Sequence, residues 1–240
     1  MNSISPNLLS ISDLHVHYGK SHVLHGVDLS IGHNEVVSLL GRNGAGRSTT
    51  MKAVMGLVPP SAGSIQLGGR ELTGLRPYRI SRAGVGFVPE EREVFANLSV
   101  EENLRMGQQV ATDGATAWTV EQMFDYFPRL RERRNTGAGN LSGGEQQMLT
   151  LCRSLLGCPK VLMIDEPTEG LAPKIVAVVA EAIRDIHRRG VSILLVEQKL
   201  TIALKVSSRV CVMGHGRIVF EGTPQALTDD PSLMKEWLAV

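Results

Sequence analysis

An α/β fold with a mostly parallel sheet is what this sequence predicts, and three observations predict it. Short apolar runs alternate with helix-compatible stretches along most of the chain, the pattern of a sheet covered by helices on both faces. Three of those runs, Val36-Val37-Ser38-Leu39-Leu40, Val161-Leu162-Met163-Ile164 and Ser192-Ile193-Leu194-Leu195-Val196, are almost wholly apolar, as strands buried on both faces require. The first leads directly into Gly41-Arg42-Asn43-Gly44-Ala45-Gly46-Arg47-Ser48-Thr49, and a helix-compatible stretch follows from Thr49 to Met55. Strand, glycine-rich loop and helix in that order are one unit of such a sheet.

Composition sets the bounds. A chain of 240 residues buries one large core or two modest lobes. With 42% hydrophobic and 20% charged residues it reads as an ordinary soluble globular protein. Aromatics make up 4% and the net charge is +1, so neither stacking platforms nor a basic field argues for nucleic acid. Cys152, Cys158 and Cys211 lack metal-ligand spacing and read as buried thiols of a reducing compartment. No apolar run approaches the ~18–20 residues of a membrane span. Met1-Asn2-Ser3-Ile4-Ser5-Pro6 has neither a basic region nor an apolar core, so no signal peptide is expected. Any link to a membrane must run through a partner.

Along the chain, residues 8–18 and 23–31 alternate loosely and read as two strands joined near Gly19-Lys20-Ser21. Tyr18 ends the first of them. Pro59-Pro60-Ser61-Ala62-Gly63 stops the helix after the glycine loop. A short strand and turn over 64–69, a short helix over 80–83 and a strand over 85–88 follow. From Glu90 to about Asn140 strand patterning disappears, and 100–106 and 119–127 look helical. This stretch reads as a helical insertion. Ser142-Gly143-Gly144-Glu145 opens a helix with Met148, Leu151, Cys152 and Leu155 on one face. Residues 161–164 form a strand that ends in Asp165-Glu166-Pro167. Ile175, Val179, Ile183 and Ile186 mark a helix that stops at Arg188-Arg189-Gly190. The strand at 192–196 ends in Glu197-Gln198. A hairpin around Gly214-His215-Gly216 and two short terminal helices, near 225–227 and 233–238, complete the chain.

The chemistry concentrates in three places. In the glycine loop, backbone N–H groups approach phosphate oxygens closely, and the helix N-terminus adds partial positive charge. Ser48 is placed to ligate Mg²⁺. Arg47 stands where the phosphate-loop pattern has lysine. Asp165, at the C-terminal end of a buried strand, can hold Mg²⁺ through water, and Glu166 can polarise an attacking water as general base. Ser142 is a good helix N-cap that Glu145 completes as a capping box, and the same helix start makes a second anion cradle. Two cradles for one nucleotide make sense if two chains sandwich each nucleotide. The plain structural alternatives stand beside these readings: a glycine turn, an acidic turn and a well-capped helix.

Taken together, Gly41-Arg42-Asn43-Gly44-Ala45-Gly46-Arg47-Ser48-Thr49, Leu141-Ser142-Gly143-Gly144-Glu145-Gln146-Gln147, Val161-Leu162-Met163-Ile164-Asp165-Glu166 and Thr168-Glu169-Gly170-Leu171 resemble Walker A, the signature, Walker B and the D-loop of the ATP-binding cassette of ABC transporters. The resemblance covers essentially the whole chain. It implies a P-loop NTPase of the ABC type, with an N-terminal antiparallel β subdomain and an inserted helical subdomain. Residues 1–89 and 158–240 would form the nucleotide-binding core, and residues 90–157 the helical subdomain, of a single cassette. ATP with Mg²⁺ would bind Walker A of one subunit and Ser142, Gly143, Gly144 and Glu145 of another, with Tyr18 stacked on adenine. Ser48 and Asp165 would hold the metal; Glu166, Gln198 and Glu90 would be catalytic.

Val88-Pro89-Glu90-Glu91-Arg92, the stretch from Val94 to Leu104, Glu166-Pro167-Thr168-Glu169-Gly170-Leu171-Ala172-Pro173 and Leu195-Val196-Glu197-Gln198 are similar to the shorter ATPase subunit of importers of branched-chain and other hydrophobic amino acids. Importers of urea and short amides are related to it. The partners implied are a second cassette, or a second copy, in a head-to-tail dimer, two integral-membrane permease subunits and, indirectly, a solute-binding protein. The place implied is the cytoplasmic face of the inner membrane, peripherally. Val94, Phe95 and Leu98 would meet the permease, or else pack within the insertion. Glu90 and Gln198 depart from most cassettes but not from this subunit; Arg47 departs from both, and Lys199 departs from this subunit, which usually has asparagine there. Arg47 and Gln198 leave a second reading open, a cassette that binds ATP and hydrolyses it weakly beside an active partner. A soluble ABC protein of translation or DNA repair lacks support, because this chain carries one compact cassette.

Overall fold

Residues 7–111, 115–198 and 200–238 are described by a computed structural model. The readings made on residues 1–6 and on Lys199 lie outside them. The chain divides into two compact units, residues 1–83 with 192–240, and residues 84–191.

In the first unit, alternation along the chain produces a hairpin. Strands β1 (Asn7–Tyr18) and β2 (Ser21–Gly32) pair antiparallel from Asn7↔Gly32 to Tyr18↔Ser21. Leu9, Leu14, Val16, Leu24, Val27 and Ile31 point into the core. Strand β3 (Val36–Leu40) is buried at every position, as its apolar run requires. Helix α1 (Arg47–Val54) follows the glycine loop. Strands β4 (Ala62–Leu67) and β5 (Arg70–Glu71) then complete a four-stranded antiparallel sheet in the order β2-β1-β4-β5. The two-residue β5 lies below the reach of a periodicity argument. Helix α2 (Pro77–Ala83) ends this segment.

The second unit opens with strand β6 (Val85–Val88) and carries helices α3 (Val100–Gly107), α4 (Val120–Tyr126), α5 (Pro128–Glu132) and α6 (Gly143–Leu155) before strand β7 (Val161–Asp165) and helix α7 (Pro173–Arg188). Strands β6 and β7 pair in parallel from Val85↔Val161 to Val88↔Ile164. Capping explains where the helices begin. Ser99, Thr119 and Ser142 each form a complete capping box with Glu102, Gln122 and Glu145. Helix α6 buries more than one face: Gln147, Leu149 and Thr150 join Met148, Leu151, Cys152 and Leu155 inside. Burial raises the thiol pKa of Cys152 well above its ordinary value and that of Cys211 to about 12, so both side chains behave as small apolar groups.

Returning to the first unit, strand β8 (Ser192–Val196), helix α8 (Leu200–Val206), strands β9 (Arg209–Gly214) and β10 (Arg217–Gly222), and helices α9 (Pro224–Thr228) and α10 (Pro231–Trp237) finish the chain. Helix α8 is an element that sequence patterning does not indicate. Strand β3 runs parallel to both β8 and β9, and β10 returns antiparallel on β9. Arg209 fastens this arrangement with two bonds of 2.8 and 2.9 Å to Glu35 and one of 2.7 Å to the Ser30 carbonyl.

Four of the chain's seven histidines lie in the β1–β2 hairpin, where His15 pairs with His25 and His17 with His22 across the strands. His22 stacks on His17 with ring centroids 4.0 Å apart and lies 4.0 Å from His25. His15 Nδ1 and His22 Nε2 are 3.0 Å apart, and Asp13 sits 3.0 Å from the other nitrogen of His15. Desolvation, then the neighbouring imidazoles of His25, His17 and His15, lower the His22 pKa below its ordinary 6.5. A folded-state pKa below the unfolded value means that the unfolded chain binds the proton more readily. The stabilisation is therefore present above about pH 6.5 and is lost as pH falls below it. The midpoint of thermal unfolding, followed by circular dichroism, is expected to drop between pH 7.5 and 5.5, and His22→Gln to reduce that slope. An unchanged slope in the variant would remove the hairpin histidines as its source.

Candidate functional site

The glycine loop joins β3 to α1, and close packing requires its composition. A Cβ on Gly41, at φ +152°, would lie 2.4 Å from the Met213 carbonyl oxygen of β9. Helix α1 starts after Gly46, with no side-chain cap and no acidic residue in its first turn. Its first N–H groups and positive dipole end therefore face no carboxylate of their own helix. Ser48 and Thr49 lie in that first turn, and Thr50 Oγ1 donates to the Gly46 carbonyl at 3.0 Å.

Arg47 is 4% exposed. Its Nη2 donates to Asn43 Oδ1 at 3.2 Å, and Gln198 Nε2 donates to the same oxygen. The structure thus brings Asn43, Arg47 and Gln198 together, although 155 positions separate Asn43 from Gln198. Arg42 turns outward and donates to the Lys235 carbonyl of α10 at 3.1 Å. A hollow of about 170 Å³ lies there, lined by Arg42, Asn43, Gly44, His215, Glu236 and Trp237 among others. Neither the Asn43 link nor the packing of α10 on the loop carries a sequence signal. Tyr18 ends β1 with 47% of its surface exposed, as a half-buried strand aromatic.

In the second unit, Asp165 closes β7 and is buried, and Glu166 follows at 8% exposure with φ +44°. A buried acidic residue in the left-handed region is held there by its surroundings and marks a functional candidate. Glu90, just beyond β6, stands near this pair. Its carboxyl pKa is raised by desolvation first, then by the charges of Glu166, Glu169 and Asp165 and a hydrogen bond with Glu169. Like charges so placed favour a cation or a shared proton. Hard carboxylate oxygens suit Mg²⁺. Among the described residues no three His, Cys, Asp or Glu side chains form a metal cage, whereas Mg²⁺ commonly takes one or two carboxylates together with phosphate oxygens.

The start of α6 is the second of the turns predicted to accept an anion. The Ser142 hydroxyl accepts from the Glu145 backbone N–H at 3.4 Å, and Glu145 Oε2 accepts from the Ser142 N–H at 2.8 Å. Gly143 faces the Arg92 guanidinium so closely that a Cβ would lie 2.4 Å from Nη1, and a Cβ on Gly144 would lie 3.3 Å from Ile175. Arg92, with φ +64°, also approaches Gly170, whose added Cβ would stand 3.7 Å from its Nη2. Sequence reasoning gives Arg92 no site role; only its neighbours reveal it. Phe95 is exposed and carries Arg153 over its ring at 4.7 Å from the centroid, while Val94 and Leu98 are partly buried.

Residues 24–169 match the family described as ABC transporter. The chain is 41% identical, over 96% of its length and 99% of the other, to the high-affinity branched-chain amino acid transport ATP-binding protein BraG of Pseudomonas aeruginosa. It is also 31% identical to the lipopolysaccharide export system ATP-binding protein LptB of Haemophilus influenzae, covering 97% of each chain. The crystal structure of a nucleotide-free ATP-binding cassette from an ABC transporter superposes with a TM-score of 0.83 at 22% identity, over 98% of this chain and 99% of that one; it speaks for the fold.

The cap of α6 gives a test independent of nucleotide. Ser142→Ala removes the acceptor for the Glu145 N–H, and is expected to destabilise the chain by about 1 kcal/mol in urea unfolding. Ser142→Asp should retain most of that stability. Equal losses in both variants would show that the hydroxyl does not act as a cap.

Proposed function

The chain belongs to the ABC transporter family, whose ATP-binding subunits hydrolyse ATP and work as dimers with membrane permease components, and on that premise we propose that it drives an importer of branched-chain or other hydrophobic amino acids. The observation that carries this reading is the 41% identity to BraG across nearly the full length of both chains. The similarity to LptB and to Nod factor export proteins makes an exporter the competing direction. No helix among the described residues is long and apolar enough to cross a membrane.

In this reading the loop from Gly41 to Thr49 holds the phosphates of ATP, chiefly through backbone N–H groups and the start of α1. Ser48 and Asp165 are the residues that would hold Mg²⁺, which supplies charge neutralisation for the β- and γ-phosphate oxygens. Glu166 orients and deprotonates the attacking water, and Gln198 and Glu90 complete the arrangement. Tyr18 stacks on adenine. Ser142, Gly143, Gly144 and Glu145 present their helix start to the nucleotide of a second cassette, either another copy or a related chain. A solute-binding protein delivers the amino acid to the permeases.

Direction is tested in cells. Deleting the gene should abolish uptake of labelled leucine, isoleucine and valine, and the plasmid-borne gene should restore it. Normal uptake with retention of an exported glycolipid would establish the exporter instead. Tyr18→Ala is expected to weaken Mg-ATP binding by about 1–3 kcal/mol, measured by calorimetry, and Tyr18→Phe to leave it nearly unchanged.

Arg47 favours a second, narrower reading of the same site. Arginine keeps the positive charge but is planar and broader than an ammonium. Phosphoryl transfer depends on positioning, so a displaced cation slows chemistry more than binding. In a complex with an unlike partner cassette, Glu166→Gln is then expected to cost little steady-state ATPase activity, whereas Arg47→Lys raises turnover. If Glu166→Gln alone stops hydrolysis, Arg47 is a working substitute for lysine.

A further inference from the structure

We propose that Asn43 is a positioning residue that makes Arg47 and Gln198 act as one unit during ATP hydrolysis. The proposal rests on the reading of this loop as an ATP site. It goes further by giving the arginine an orienting partner within the chain.

The chemistry of the three side chains fixes their roles. A guanidinium has donors and no acceptor, and an amide oxygen has two lone pairs. Asn43 Oδ1 accepts from Arg47 Nη2 at 3.2 Å and from Gln198 Nε2 as well. Turning the Asn43 amide over would set its NH₂ group against the guanidinium, so Arg47 dictates the orientation of Asn43. Asn43 in turn dictates which group of Gln198 faces the loop. The bond from Arg47 is charge-assisted and the stronger of the two kinds.

An ammonium at position 47 would be a point charge that needs little orientation. A planar fork must present the correct edge to an oxyanion. Asn43 stands four residues before Arg47, at the far side of the loop, and Gln198 stands two residues beyond β8. The shared oxygen therefore joins the plane of the guanidinium to the end of a strand in the core sheet of this unit. Arg47 is buried, which restricts the alternatives open to its fork. Loss of either Asn43 or Gln198 releases the same arrangement, so the two losses should not multiply.

The test uses the full-length chain with Mg-ATP and five variants: Asn43→Ala, Gln198→Ala, the double alanine variant, Asn43→Asp, and Asn43→Asp combined with Gln198→Ala. Each single alanine change is expected to lower kcat by about tenfold, with KM for ATP changing less than about threefold, because backbone N–H groups still hold the phosphates. The double variant should be no slower than either single one. Asn43→Asp keeps the acceptor but places a carboxylate beside the phosphates. It should raise KM, and Gln198→Ala added to it should still lower kcat. Multiplicative losses in the double variant, or a rise in KM as large as the fall in kcat for Asn43→Ala, would overturn the proposal. Wild-type chain that neither binds nor hydrolyses ATP would instead refute the reading of the site. The link is then judged on the ligand-free protein, where additive changes in unfolding midpoint for Asn43→Ala and Gln198→Ala would overturn it and non-additive ones would support it.

Discussion

The phosphate loop holds its shape because a second turn is bolted to it through the backbone. Gly216, between β9 and β10, donates its N–H to the Ala45 carbonyl at 2.9 Å and accepts from the His25 N–H at 2.9 Å. Its φ is +73°, and a Cβ there would lie 2.1 Å from the Val23 carbonyl oxygen. No other residue type satisfies both the backbone conformation and the contact. Through this one glycine the loop is braced against β2 and the β9–β10 turn. Gly41 applies the same constraint from the other end, against the Met213 carbonyl. A loop that must offer bare N–H groups to an anion cannot be ordered by its own side chains, so the neighbouring backbone orders it.

The second unit is ordered on an opposite principle. There side chains and charge do the work. Buried Asp165 and Glu166 end a strand that is apolar up to that point, and Glu90 adds a third carboxyl whose proton affinity is raised. Such a group of like charges favours a cation or a shared proton. Around it, the caps of α3, α4 and α6 spend serine, threonine and glutamate on helix starts, so the ends of these helices are fixed without reference to any ligand. The cap at Ser142 thereby performs two tasks: it ends the loop after residue 141 and it holds a turn of N–H groups outward.

Much of this was legible from the sequence, for stated physical reasons. Strands β3, β7 and β8 were legible because burial on both faces leaves an unbroken apolar run. The glycine loop and Asp165-Glu166 were legible because phosphate and metal chemistry demand particular residues in a fixed order. The capping box of Ser142 and Glu145 was legible because it is local, joining residues three apart; those of Ser99 and Thr119 were not singled out. What escaped is non-local or weakly patterned. Helix α8 is seven residues long and shows too little of one face for a period to emerge. Arg92 is one arginine among many until its guanidinium is found against Gly143. The link from Asn43 to Gln198 crosses most of the chain and depends on a side-chain amide that could equally have faced solvent.

The arginine at position 47 becomes intelligible once that link is in view. Seen alone, it is a defect: a bulkier cation where a compact one is expected. In the folded chain it has a neighbour that fixes its plane, and that neighbour is also held by Gln198, the residue standing where most cassettes place histidine. The two departures from the common pattern therefore meet at one oxygen atom. An imidazole at position 198 offers one donor whose presence depends on tautomer and pH, whereas a glutamine amide donates at any pH. Arg47 and Gln198 are thus better understood through the amide oxygen they share than as two separate losses.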